Sequence, residues 1–428
     1  MKFKKKRNVE EQSKYQTLIK KIVIKESSPY YQEIDNLCFL SKNLYNSTLY
    51  AIRQHYFNTK EHLSFFKVNK MFAETNQVDY RALPAKVGRQ TQLLVDNNFT
   101  SFFKLLKKKN SGNYGKKVKI PKYLDKVKGR QVVSYSKDAI SFNKNGFIKL
   151  SKTNICIETD LPKEDILMVR LVPRNYYYVI EIVYEELKKK KLEKNGRYAS
   201  IDLGVNNLIT VSSNVCDPII VNGKPLKSIN EFYNKKIAKL KSEAMKCQGL
   251  YTTKKIQLLF NRRRFKIEDY MHKASRMLVN HLVSNNIDTL IIGENKGWKQ
   301  DIDIGTKNNR IFVSIPFNTL KQLINYKCEI EGIEVLFIEE SYTSKASFLD
   351  DDILPTYKLG DTNNYKFSGK RIKRGLYQTK VKNVVNSDIN GASNIMKKQL
   401  LKNKLWNKNI FEEIKITINK NPKILNVI

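Results

Sequence analysis

Apolar and polar positions along the chain fall into three regimes. Gln16–Ile24, "QTLIKKIVI", has the alternation of a strand. From Tyr31 onward Ile34, Leu37, Leu40, Leu44, Leu49 and Ile52 recur at helical spacing. A second helix is expected over "RQTQLLVDNNFTSFFKLLKKK", with Leu93, Phe99, Phe102 and Leu106 on its apolar face. From about Val132 the pattern turns to short strands. "AISFNKNGFIKL" holds Asn145-Gly146, a hairpin signal, and "ILMVRLV" and "YYYVIEIVY" flank a turn expected at Pro173-Arg174-Asn175. The first half therefore reads as a small β-barrel interrupted by a helical insertion.

A basic linker, "EELKKKKLEKNGR", leads into the third regime. "YASIDLGVNNLITVSS" reads as strand, turn, strand, and helical segments follow from about Ser228 to Ser284. Then come the strand "DTLIIGEN", a helix near "FNTLKQLINYKCEIEG" and the strand "IEVLFIEE". In "NSDINGASNIMKK", Ile389, Ala392, Ile395 and Met396 mark one more amphipathic helix with Asp388 in its first turn. This is a mixed α/β order. The tail after Leu401, "KNKLWNKNIFEEIKITINKNPKILNVI", carries no motif and reads as a mobile basic extension.

The chain has 428 residues, room for about two to four units with their own cores. Its 41% apolar and 28% charged residues are those of a soluble protein, and its longest apolar runs are far too short to cross a bilayer. No apolar targeting segment follows the basic "MKFKKKR" start, so a cytoplasmic, nucleoid-associated protein is expected. Charge changes this picture. Lys and Arg number 79 against 41 Asp and Glu, a net +38. A compact body with that excess repels itself unless a polyanion neutralises it, and nucleic acid held through phosphate contacts is the partner it fits. The basic residues are spread along the chain, which argues against a membrane-surface helix. Cys38, Cys156, Cys216, Cys247 and Cys328 form no CxxC pair, and an odd count argues against a disulfide framework. They are expected as small buried side chains.

Three acidic residues stand at element ends in the second half. Asp202 lies in an apolar strand, where an unpaired carboxylate costs several kcal/mol on a rough scale unless it is paired or binds metal. Glu294 ends another apolar strand. Asp388 opens a helix, where an acid also serves as a cap for free N–H groups. Carboxylates from separate elements can together hold hard divalent cations. Two such ions, roughly 3.5–4 Å apart, activate water and stabilise the leaving oxygen of a phosphodiester.

"SIDLGVNNLITV", "LIIGEN" and "NSDINGASNI" resemble the three split motifs of a RuvC nuclease domain, an RNase H-like fold. With "LPAKVGRQTQLLVDNNFTSFFK", "KVKIPKY", "HKASRMLV", "ESYTSKASFLD" and "FSGKRIKRGLY", the chain resembles TnpB, the transposon-associated RNA-guided nuclease related to compact type V CRISPR effectors. These stretches span roughly residues 15–400. The resemblance implies a multidomain α+β protein: a wedge-like β-barrel over 1–25 and 111–190, and a helical recognition insertion over 26–110. It further implies a RuvC-like nuclease domain over 191–340 and 386–428, with a target-nucleic-acid-binding insert over 341–385. By motif position Asp202, Glu294 and Asp388 would hold two Mg2+ ions, with Mn2+ able to substitute. The implied partners are a transposon-derived guide RNA of the omega type and a double-stranded DNA target, bound by a monomer. The chain departs from the family in its insert. Where a zinc ribbon with two CxxC pairs is common, this segment has neither cysteine nor histidine, and Ala346 takes the first ligand position, so no structural zinc is expected.

Basic clusters lie at Lys4–Arg7, Lys107, Lys108 and Lys109, Lys188–Lys191, Arg262, Arg263 and Arg264, and Lys370, Arg371, Lys373 and Arg374. A charge run is first of all a solvated face. Under the family reading, Lys107–Lys109, Arg262 and Arg263 are nucleic-acid contacts, and Arg371 and Arg374 meet phosphate near the acids. Tyr123, Tyr176 and Tyr177 are candidates for base stacking or for ordinary sheet packing. His272 and Trp298 read as packing residues or, respectively, as a phosphate contact and part of the site wall. Two other activities fit the same sequence: an RNA-guided DNA-binding regulator that does not cut, and a compact CRISPR-associated type V effector.

Overall fold

A computed structural model describes residues 14–143, 146–294, 309, 312–357 and 364–427. The Lys4–Arg7 cluster, Asn145 and Trp298 lie outside the described residues. The chain divides into two compact units, Met1–Leu187 and Lys188–Ile428.

In the first unit, β1 (Tyr15–Ile24) pairs antiparallel with β7 (Tyr177–Leu187), from Tyr15 opposite Leu187 to Ile24 opposite Tyr178. β7 pairs on its other side with β6 (Ile166–Arg174), and β6 with β2 (Val133–Ser136), giving the order β1-β7-β6-β2. A second sheet is formed by β3 (Ile140–Phe142), β4 (Phe147–Leu150) and β5 (Cys156–Glu158). The expected barrel does not close among the described residues. A 3-10 turn at Lys137–Ala139 redirects the chain after β2, so that β3 pairs with β4, and β1 keeps one free edge. The β6–β7 turn also falls later than the proline suggests. Pro173 and Arg174 remain in the ladder, opposite Tyr178 and Tyr177, and the reversal is made by Asn175 and Tyr176, the latter at φ 63°. Pro173 is tolerated because β2 reaches only to the partner of Leu171, so no neighbour on that side needs its missing N–H.

Four helices, α1 (Tyr31–Thr59), α2 (Phe65–Glu74), α3 (Val78–Arg81) and α4 (Ala85–Asn110), lie between β1 and β2. The α1 stripe is buried at Ile34, Leu37, Leu44, Leu49 and Ile52, with Leu40 partly covered. On α4 the buried face runs through Val87, Thr91, Val95 and Phe99, and Leu93 is exposed. Helical phase explains this: Leu93 is two residues from both Thr91 and Val95, about 200° around the helix and so nearly on the opposite side. Asp35 of α1 accepts paired hydrogen bonds of 2.8 Å from Arg130 Nε and Nη2, and a further one from the Tyr178 hydroxyl. This ties α1 to the sheet.

In the second unit a six-stranded sheet has the order β12-β11-β8-β9-β10-β16. β8 (Tyr198–Asp202), β9 (Asn207–Ser213) and β10 (Ile219–Asn222) form an antiparallel meander. β11 (Thr289–Glu294) joins β8 in parallel and β12 (Glu334–Glu339) joins β11 in parallel. One face of the sheet packs on α6 (Lys254–Ser284) and α7 (Phe317–Glu331), burying Ala199, Ile201, Leu290 and Ile292 with Met271, Leu278, Leu320 and Ile324. The other face carries Tyr198, Ile291 and Ile338 against Ile389, Ile395 and Met396 of α8 (Ser387–Lys402). α5 (Lys224–Gln248) pairs with α6 through Tyr233, Ile237, Ile256 and Leu259. In the described insert, β13 (Lys370–Lys373), β14 (Leu376–Gln378) and β15 (Val384–Asn386) make a small meander that runs directly into α8.

The tail is part of this unit and not a loose extension. α9 (Lys408–Ile418) buries Ile410, Ile414 and Ile418 in the α8-side core, and Thr417 donates to the Ser213 carbonyl at 2.9 Å. β16 (Lys423–Leu425) then pairs in parallel with β10. Its weak apolar run hides a strand because a sheet edge needs few buried side chains. Ile414→Ala is expected to destabilise the second unit by about 2–5 kcal/mol in chemical denaturation. A loss below about 0.5 kcal/mol would instead mark a tail that contributes nothing to the core.

Candidate active site at the strand ends

Parallel strands place their carboxyl ends on one edge of a sheet, where open α/β sheets bind ligands. Here β8 ends at Asp202, β11 at Glu294, and β12 is followed at once by Glu340. Alternation sets the faces. Tyr198, Ser200 and Asp202 look toward α8, while Ala199 and Ile201 enter the core under α6 and α7.

α8 lies close on this face because its residues there are small. Ser200 Oγ donates to the Ala392 carbonyl at 2.6 Å, and the Ser212 and Ser393 hydroxyls meet at 2.7 Å. A Cβ on Gly391 would stand 3.2 Å from Asp202 Oδ2, so the helix passes over this carboxylate without a side chain between. Asp388 is three residues earlier and shares that helical face. It is not the cap. Asn386 Oδ1 takes the N–H groups of Asp388 and Ile389 at 2.9 and 3.2 Å, leaving the Asp388 carboxylate for other partners. These are Asn207 Nδ2 at 2.7 Å on Oδ2, and Arg371 Nη2 at 3.3 Å and Ser387 Oγ at 3.3 Å on Oδ1. Arg371 also donates to Ser387 Oγ at 2.9 Å, and the Ser387 N–H binds the Gly375 carbonyl at 3.0 Å. The β13–β14 hairpin is thereby pinned to the start of α8.

The electrostatics of Asp202 follow from this crowding. Burial, with the negative charges of Glu340 and then Asp388, pushes its carboxyl up to about 8, against the Leu203 N–H and the Arg371 charge. Glu340 is raised as well, chiefly by burial, with Lys321 opposing and Glu339 and Glu294 adding to the rise. Lys321, on α7, is buried and held below the usual lysine range, although Glu340 and Glu294 both favour its charged form.

Asp202, Asp388 and Glu340 therefore belong to one environment. Glu294 is placed differently. It follows Leu290 and Ile292 in alternation and lines a cleft with Asn318, Lys321, Gln322, Asn325 and Phe337 on the α7 side. Among the described residues, no three Asp, Glu, His or Cys side chains stand close enough together to hold one ion. The donor chemistry at Asp202 and Asp388 nevertheless fits a hard cation, being carboxylate oxygens crowded against one another. Asn207, Glu340 and Lys321 were not singled out from the sequence. Glu340 opens "ESYTSK", a stretch that carried the resemblance without an assigned role. Nothing in the sequence marks Lys321 among many lysines.

The other candidates are scattered. Lys107–Lys109 are exposed on the last turn of α4, where cations also favour the helix dipole. Arg262 is exposed, whereas Arg263 is half-buried and donates to Asn230 Oδ1 at 2.8 Å across the α5–α6 pair. Arg374 is exposed in the β13–β14 turn. Tyr123 is half-exposed with the Arg53 guanidinium 4.8 Å from its ring centre, and Tyr176 is likewise half-exposed. Tyr177 is 4% exposed, which removes it from the stacking candidates, and the His272 side chain is exposed on α6. The Lys188–Lys191 run is largely neutralised. Lys188, Lys189 and Lys191 pair with Glu329, Glu331 and Glu334 at 2.9, 2.7 and 3.2 Å. Of the cysteines, Cys38 and Cys328 are buried, Cys156 and Cys216 partly so, and Cys247 is exposed. No helix among the described residues is long and apolar enough to cross a membrane.

Carboxylates hold the insert together. Asp352 accepts from the Ser347 N–H at 2.7 Å and from Ser368 Oγ at 2.6 Å, while Asp350 accepts from Ser347 Oγ at 2.6 Å and the Lys380 N–H at 2.9 Å. Buried Asn390 and Asn394 of α8 both donate to the Ala346 carbonyl at 2.8 Å, anchoring the segment's start.

Asp202 yields a pH prediction for the metal-free chain. The folded chain keeps a proton there that the unfolded chain releases near pH 4, so its stability falls as pH rises from about 4 to about 8. In EDTA, Asp202→Asn should raise the melting temperature at pH 8, with the difference shrinking toward pH 4. Equal melting curves across this range would show that the carboxylate is not crowded.

Comparison with known proteins agrees with the motif order. Residues 181–299 match the OrfB_IS605 family, described as "Probable transposase", and residues 317–395 match the Cas12f1-like TNB domain. A TnpB-like protein of Methanocaldococcus jannaschii is 26% identical over 223 residues, covering 50% of this chain and 70% of that protein. A TnpB-like protein of Acidianus two-tailed virus is 24% identical over 411 residues, covering 86% of this chain and 83% of its own. Among solved structures, a Cas12f1–sgRNA–target DNA complex is matched at 15% identity and a TM-score of 0.34, over 90% of this chain and 100% of that one. The two family matches, in chain order, and the two relatives show that this chain is similar to TnpB-type proteins and to the Cas12f1-like TNB domain.

Proposed function

We propose that this protein is an RNA-guided DNA endonuclease encoded by a transposon, cutting beside a short flanking motif in a single site at the ends of β8, β11 and α8. The observation that carries this reading is Asp202, held under α8 beside Asp388 with no side chain between helix and carboxylate. Such crowding of carboxylates is costly without a cation. The sheet supports the RNase H-like assignment, since an antiparallel meander extended by two parallel strands brings the acid-bearing ends to one edge. The division into wedge-like, recognition, nuclease and insert regions proposed from the sequence goes with this reading.

Asp202 and Asp388 would hold Mg2+, with Glu294 joining them as its motif position implies. When bound, two such ions supply an activated water and charge stabilisation for the leaving oxygen. The chain's own residues do the rest. Asn207 and Ser387 fix the rotamer of Asp388. Arg371, half-exposed beside Asp388, would exchange that carboxylate for a target phosphate and orient it. Guide pairing would read the target while the protein reads the flanking motif. The exposed lysines at Lys107–Lys109, with Arg262 and Arg374, would contact nucleic-acid backbone. Both strands would be cut in turn in this one site, leaving 5′-phosphates.

One observation favours a second reading, guided DNA binding without cleavage: Glu294 looks toward α7 and not toward Asp202. The test is to purify the protein from cells expressing its native locus, sequence the RNA that accompanies it, and offer a matching duplex. The endonuclease reading expects one structured RNA from the gene's own 3′ flank and metal-dependent cleavage that requires it. Bound RNA and duplex without cleavage would establish the regulator. Repeat-derived RNA would make it a CRISPR effector, and a random mixture of cellular RNA would overturn guided recognition altogether.

A further inference from the structure

Glu340 stands where no motif of the sequence assigns a function, yet several elements of the second unit converge on it. It follows Glu339, the last residue of β12, whose register partner is Glu294 at the end of β11. A Cβ built on Gly293 would overlap Glu340 Oε2 and would lie 2.8 Å from Ile395 Cδ1. The carboxylate is thus laid against the bare backbone of β11, next to the α8 face that also covers Asp202. Any side chain at 293 would displace it. Its charge acts on Asp202 more strongly than that of Asp388, and it acts on Lys321 more strongly than that of Glu294. Glu340 therefore stands against the end of β11, the strand that neighbours β8 and Asp202.

Resting on the reading of this edge as a cation site, we propose that Glu340 is a further carboxylate of that site, supplying the oxygen ligand between Asp202 and Glu294. Alternation explains why one is needed. Glu294, at the end of β11, faces away from Asp202, whereas Glu340 approaches from the next parallel strand on the same edge. Gly293 leaves room for this approach, and Lys321 of α7 lines the cleft with Glu294. Lys398 and Glu339 flank the cluster, joined to each other at 2.7 Å.

The experiment uses the full chain and Mn2+ alone, following Mn2+ binding by electron paramagnetic resonance and the melting temperature in EDTA and in Mn2+. Glu340→Gln keeps the shape and removes one negative charge. It should melt no lower than the unmodified chain in EDTA, and weaken Mn2+ binding by about tenfold or more, in the range seen when groups that support a metal site are removed. Asp202→Asn serves as the control. If Asp202→Asn loses Mn2+ binding and Glu340→Gln keeps it, the proposal is overturned and the site reading stands. If the unmodified chain binds Mn2+ no better than Asp202→Asn, the site reading fails and the proposal falls with it. A Glu340→Gln chain that melts lower in EDTA would assign Glu340 to packing and also overturn the proposal.

Discussion

Negative charge gathered at the end of β8 is the constraint around which the second unit is arranged. Asp202 is partly buried with Glu340 and Asp388 acting on it, and folding brings these carboxylates together. The surrounding sequence is shaped to hold the carboxylates rather than to separate them. Gly391, Ala392 and Ser393 let α8 descend onto the sheet, Ser200 and Ser212 anchor it by hydrogen bonds, and Asn386 takes over the capping so that Asp388 stays available. A fold optimised for stability alone would place neutral or apolar groups there. Retaining the charges makes sense if a cation completes the site.

The same edge joins chemistry to recognition. The β13–β15 meander runs into α8, so Arg371 reaches Asp388 from an element whose position is fixed by the helix it precedes. The insert behind it is held by Asp350 and Asp352 through backbone N–H groups and serine hydroxyls, and by the Ala346 carbonyl through two buried asparagines. In contrast, much of the positive charge at the second unit's first residues is spent on Glu329, Glu331 and Glu334. Net charge identifies the kind of partner, but exposure and pairing decide which lysines can meet it.

Periodicity was enough to reveal α1 and α4 of the first unit, the β8–β9 turn and the parallel strands, but not the shorter α2 and α3. It failed where local pattern is silent about partners. A three-residue turn after β2 decides whether β3 closes a barrel, and β16 is a strand only because β10 offers an edge. Asp202 and Asp388 were legible from their settings, an acid in an apolar strand and an acid in a first turn. Glu340 was not, since a carboxylate after a strand normally reads as a solvated rim. Asn207 and Lys321 act through residues far away in sequence, and such pairings are set by packing of the whole unit.

The most direct measurement of the central claim is cleavage and binding by Asp202→Ala, loaded with the RNA that accompanies the native protein and given a matching duplex with Mg2+. The account predicts that cutting falls to background while RNA and duplex are bound as before, because the carboxylate serves the chemistry and not the grip. Cleavage retained in that variant would contradict it and place the hydrolytic centre elsewhere in the chain.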